Sequence, residues 1–105
     1  MTLLRAADRV RRVGESHRIL IVGGGGREHA LAWRLSRDPD VERIQVAPGN
    51  DGIARAFPCL PVAESDAAAL LELCRVERVT LAIIGPEAPL ADGLADRLAE
   101  GGIAV

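Results

Sequence analysis

The segment best equipped for chemistry is Gly23-Gly24-Gly25-Gly26-Arg27-Glu28-His29. Glycines permit positive φ and let a backbone approach a ligand closely. A helix beginning there would offer unpaired N–H groups and the positive end of its dipole, which together suit a phosphate. Arg27 could add a bidentate charged contact. Two further segments carry usable groups. In Pro48-Gly49-Asn50, the asparagine either hydrogen-bonds a sugar hydroxyl or serves a left-handed turn. In Gly85-Pro86-Glu87-Ala88-Pro89, the carboxylate stands between two prolines. It either accepts hydrogen bonds from ribose hydroxyls or is a solvated acid preceding a helix.

A glycine loop alone supports three readings: a phosphate cradle, a tight turn with no ligand, and the dinucleotide loop of an oxidoreductase. The sequence opposes the last reading twice. With Gly23 and Gly25 as the first two glycines, the third falls on Glu28, where close helix–strand packing wants a small residue. The acid that should bind ribose is replaced by Ala47 and Pro48, with Asp51 a few residues late.

Composition removes other classes. All thirteen basic residues among the 105 are arginine, so no P-loop, Schiff-base or general-base lysine exists. Tyrosine is absent and the aromatics are Trp33 and Phe57, too few for a base-stacking platform. A net charge of −2 opposes a nucleic-acid partner. Cys59 and Cys74 lack metal-ligand spacing and read as small hydrophobes in a reducing cytoplasm. Neither a metal site nor a membrane span is expected.

The elements that must position these groups alternate in type. Arg18–Val22 reads as a strand buried on both faces, and Arg27–Leu35 as a helix ended by Asp38-Pro39. Arg43–Ala47 reads as a second strand and Cys59–Val62 as a short one. Ser65 is expected to cap a helix carrying Ala67, Leu70, Leu71 and Cys74. Val79–Ile84 is a further strand, and Leu90, Leu94 and Leu98 line a last helix ended by Gly101-Gly102. Ile103–Val105 begins one more strand, so the sheet is expected to be truncated there. This order predicts an α/β fold with an open parallel sheet and helices on both faces. The three loops would then meet beyond the carboxyl ends of the strands. Residues 1–17 read as an N-terminal extension, helical or disordered, facing solvent or serving in targeting. The substrate-binding domain is expected over residues 18–105.

Val22-Gly-Gly-Gly-Gly-Arg-Glu-His-Ala-Leu-Ala-Trp33, Val46-Ala-Pro-Gly-Asn50 and Ile84-Gly-Pro-Glu-Ala-Pro-Leu90 occur in an order and spacing that resemble one family. That family is phosphoribosylamine–glycine ligase, also called glycinamide ribonucleotide synthetase, in its N-terminal domain. The resemblance implies a Rossmann-like, pre-ATP-grasp domain of a cytoplasmic enzyme of purine biosynthesis. Such an enzyme joins 5-phosphoribosylamine and glycine using ATP and Mg²⁺ or Mn²⁺, neither expected to bind this segment alone. It implies a phosphoribosyl site from Gly24, Gly25, Gly26, Arg27, Glu28, Pro48, Gly49, Asn50, Gly85, Pro86 and Glu87. Gly24–Arg27 would hold the 5′-phosphate, Pro48–Asn50 would border the sugar, and Glu87 would bind ribose hydroxyls. The partners implied are those small molecules and the ATP-grasp and C-terminal domains, in a monomeric enzyme. The chain then reads as a fragment, a truncated frame or a lone domain, inactive in ligation by itself. A stand-alone interaction module remains the reading from a different class.

Overall fold

β1, His17–Gly23, is the central strand of a three-stranded parallel sheet ordered β2-β1-β3 in the computed structural model, which describes residues 16–105. The N-terminal extension expected over residues 1–17 lies outside the described residues as far as residue 15. β2 is Val41–Pro48 and β3 is Leu81–Ile84. Leu20 stands opposite Gln45 on one side and Ala82 on the other, which fixes the register of both pairs.

Successive side chains of a strand point to opposite faces, and β1 uses both. Ile19 and Ile21 pack with Ala32 and Leu35 of α1, Gly26–Ser36, and with Ile44 and Val46 of β2. Leu20 and Val22 pack with Leu70 and Cys74 of α3, Ala67–Val76, and with Leu94 and Leu98 of α5, Leu94–Glu100. Between these helices in chain order lie α2, Asp51–Ala54, and α4, Glu87–Ala91. The result is an α/β, Rossmann-like open sheet with helices on both faces. Leu20 and Ile21 are completely buried, each worth about 1.5–3 kcal/mol of transfer free energy.

Local geometry corrects several expectations. The cap of α3 is Asp66, whose carboxylate accepts from the Ala69 N–H at 3.1 Å, and not Ser65. Cys59–Val62 contributes only a parallel bridge from Cys59 to Val46. Pro58 and Pro61 flank it, and a proline nitrogen donates nothing to a ladder. Val79 and Thr80 precede β3, because Arg78 at φ 55° turns the chain and Val79 N–H closes the end of α3 on Cys74 O. The helix expected through Leu90 and Leu98 is two helices, broken at Gly93 with φ 84°. Ile103–Val105 makes a single parallel bridge, Ala104 to Leu81.

β1 leads through α1 to β2 on one side, and β2 leads back across to β3 on the other. The sheet order therefore reverses at β1, where an open α/β sheet places its ligand crevice. Gly23, Pro48 and Ile84 end the three strands at that edge.

Candidate functional site

Glu28 organises the first loop. Although charged, it is only 4% exposed, and its Oε2 accepts from the Gly25 N–H at 2.8 Å. Gly25 caps α1 in an extended conformation and has no side chain to return a bond, so this closure is one-sided. The carboxylate occupies a niche between two distant glycines. A Cβ on Gly85 would stand 1.8 Å from Glu28 Oε1, and one on Gly23 would stand 2.7 Å from Glu28 Cγ. A dinucleotide loop wants a small residue at position 28. Here the large group sits at 28 and the small ones surround it.

With Gly25 engaged, the N–H groups of Gly26, Arg27 and Glu28 precede the first helical acceptor bond, which His29 N–H makes to Gly25 O at 3.1 Å. The end of α1 thus presents donors and a positive dipole to the cleft. Arg27 is exposed, and one guanidinium nitrogen donates to Gly85 O at 2.7 Å. That bond stakes the cation at the rim and ties the first loop to the third. Gly85 N–H donates in turn to Val22 O at 3.0 Å.

The second loop is tied just as closely. Gly49 N–H donates to Gly23 O at 3.0 Å, and a Cβ on Gly24 would fall 2.5 Å from Gly49 O. Asn50 has extended backbone, φ −153°, so the left-handed reading fails. Its Oδ1 caps α2 by accepting from Ile53 N–H at 2.8 Å, while its Nδ2 donates to Gly24 O at 2.7 Å. Each end of the amide therefore holds a loop. In the third loop Pro86 caps α4, and Glu87, the first residue of that helix, is exposed.

These loops border a shallow, open cleft of about 580 Å³. The first loop lines it with Gly24, Gly25, Arg27 and Glu28, the second with Pro48 and Gly49, and the third with Pro86. Gly26, Asn50, Gly85 and Glu87 are not among the lining residues. Ala63 and Glu64 complete the lining, and sequence reasoning missed both. They lie between a proline-flanked bridge and a helix cap, where no motif marks them.

Other polar clusters are structural. Arg18 Nε donates to Arg78 O at 2.6 Å and Arg43 donates to Glu77 O, so two sheet arginines cap the carbonyls just beyond α3. Burial pushes the Cys74 thiol up to about 11, whereas Cys59 is half-buried beside Gly49. Among the described residues no three His, Cys, Asp or Glu side chains converge as metal ligands, and no helix is long and apolar enough to cross a membrane.

Comparison with known proteins matches residues 17–105 to the family described as phosphoribosylglycinamide synthetase, N domain. Phosphoribosylamine–glycine ligase of Allochromatium vinosum is 51% identical over 88 residues, covering 82% of this chain and 21% of that protein. The ligase of the same name from Halalkalibacterium halodurans is 40% identical over 87 residues, with 83% and 20% covered. The trifunctional purine biosynthetic protein adenosine-3 of Gallus gallus is 46% identical over 88 residues, 82% of this chain and 9% of that one. The chain spans about a fifth of the length of the two ligases.

Proposed function

Because the chain belongs to the phosphoribosylglycinamide synthetase N-domain family, we propose that its cleft is the phosphoribosyl subsite of an ATP-dependent ligase joining 5-phosphoribosylamine to glycine. The observation that carries this reading is the convergence of three strand-end loops on one cleft headed by the N-terminus of α1. The phosphate takes the N–H groups of Gly26 and Arg27, with the Arg27 guanidinium closing over it. Pro48 and Gly49 wall one side of the sugar and Pro86 the other. Glu87, at the rim, accepts from ribose hydroxyls.

The chain's own residues bind and orient in this scheme; they transfer no proton. A fixed phosphoribosyl group presents its amine in one direction, which is the entropic part of an acyl transfer. ATP is the co-substrate that activates the glycine carboxylate in such a ligase, with a divalent ion on its phosphates. The residues described here do not fit that pair, since they assemble no metal-ligand group and the chain has no lysine. Glu28 at the third-glycine position likewise leaves the oxidoreductase reading without support.

The test is an ¹H–¹⁵N titration of the 105-residue chain with ribose 5-phosphate and with glycinamide ribonucleotide. Shifts are expected at Gly24, Gly25, Gly26, Arg27, Gly49 and Gly85, and inorganic phosphate should reproduce the subset at Gly26 and Arg27. A folded sample in which those amides stay still, or in which NAD moves them instead, would overturn the proposal.

A further inference from the structure

Helix α1 has a second side that the cleft does not use. Its inward face buries Glu28, Ala32 and Leu35. At 100° per residue, Ala30, Trp33, Arg34 and Arg37 cluster on the opposite side, and all four are exposed. Two features distinguish this face from an ordinary solvated one. Trp33 is 56% exposed, and the Arg37 guanidinium lies 5.0 Å from the indole centroid. The face also carries one sign of charge: the only acid within α1 is Glu28, which points inward, and neither Arg34 nor Arg37 has a carboxylate partner among the described residues. The chain as a whole is negative, so this is a positive patch on an acidic protein.

We propose that the outer face of α1 docks an acidic polypeptide segment, its carboxylates on Arg34 and Arg37 and an apolar side chain against the free part of the Trp33 ring. Tryptophan and arginine are the residue types that carry binding energy at protein interfaces. The stack against Trp33 holds the Arg37 fork in place before a carboxylate arrives, so less freedom is lost on pairing. A nucleic acid fits less well. One indole face is already covered by Arg37, and this helix face offers no second ring for a base to stack on. A membrane surface fits less well too, because Trp33 is the single large apolar side chain on this face.

Trp33 is the only tryptophan in the chain, so its fluorescence reports on this patch alone. The 105-residue chain is titrated with a synthetic peptide of repeated Glu-Glu-Leu, with circular dichroism checking that each variant is folded. A saturable fluorescence change that weakens as salt is raised is expected. Arg34→Gln with Arg37→Gln should weaken binding at least about tenfold. Arg75→Gln with Arg97→Gln, the same charge removed elsewhere, should leave it unchanged. Trp33→Ala, followed by anisotropy of a labelled peptide, should also weaken it. No saturable signal, equal losses in the two arginine pairs, or tighter binding of oligo(dT) or phosphatidylserine vesicles than of the peptide would each overturn the proposal.

Discussion

Gly85→Ala is expected to destabilise the fold through a residue far away in sequence. Position 85 has no positive φ, so an alanine there meets no backbone strain of its own. The three atoms nearest its Cβ all belong to Glu28, at 1.8, 2.7 and 3.0 Å. Rotating only the carboxylate cannot relieve the contact, because Cγ also lies 3.0 Å from the new Cβ and Gly23 lies close to the same side chain. Glu28 must leave its niche and release the Gly25 N–H. A hydrogen bond to a charged group contributes about 1.5–3 kcal/mol, and loss of a helix cap costs about 0.5–2 kcal/mol. These describe the same contact, so about 2 kcal/mol is the expected loss, a fall in Tm of about 10 °C for a domain of this size. Urea unfolding of four proteins measures it: the parent, Gly85→Ala, Glu28→Ala and the double variant. In the Glu28→Ala background the niche is empty, and Gly85→Ala should become neutral or gain a few tenths of a kcal/mol through the unfolded chain. The coupling should therefore be about 2 kcal/mol. Equal costs of Gly85→Ala in both backgrounds would refute the idea that these glycines exist to house Glu28.

Asn50→Ala removes both a cap and the tether to Gly24, so it should cost about 2 kcal/mol, against about 1 kcal/mol for Asp66→Ala, which removes a cap alone; urea midpoints compare them. Gly49→Ala forces a side chain to φ 73° with its Cβ 2.3 Å from Cys59 Sγ. It should cost at least about 1–2 kcal/mol, while Gly26→Ala, which meets nothing within 4 Å, should leave stability nearly unchanged. The buried Cys74 thiol, held up to about 11 from an ordinary 9.0, keeps its proton in the folded state where the unfolded chain loses it. Stability should therefore fall as pH rises from about 9 to about 11 and level off above. With no lysine or tyrosine to titrate in that window, Cys74→Ala should flatten this limb in pH-dependent unfolding.

The strands were legible because Ile19–Val22 and Leu81–Ile84 are apolar runs buried on both faces, a pattern that needs no knowledge of neighbours. What was misread depended on neighbours or on single dihedral angles. Ser65 and Asp66 are both good caps, and only chain direction chooses between them. Pro48-Gly49-Asn50 reads as a turn closing the second strand, yet one side-chain bond from Asn50 to Ile53 starts a four-residue helix too short to show periodicity. One positive φ at Gly93 breaks a row of leucines spaced four residues apart. In the site, the loops at the strand ends were legible from the glycines and prolines that close them. The burial of Glu28 was not, since its niche exists only once β3 brings Gly85 beside β1. Ala63 and Glu64 reach the cleft by the same kind of tertiary placement.

The bonds from Asn50 to Gly24, from Gly49 to Gly23 and from Arg27 to Gly85 have a consequence for anyone transplanting this cleft. The loops are not interchangeable parts. A glycine loop grafted from another scaffold arrives without the amide that holds its second carbonyl, and without the bare position on the third strand that its glutamate requires. Positions 24, 28, 49, 50 and 85 must therefore be moved together in any such graft.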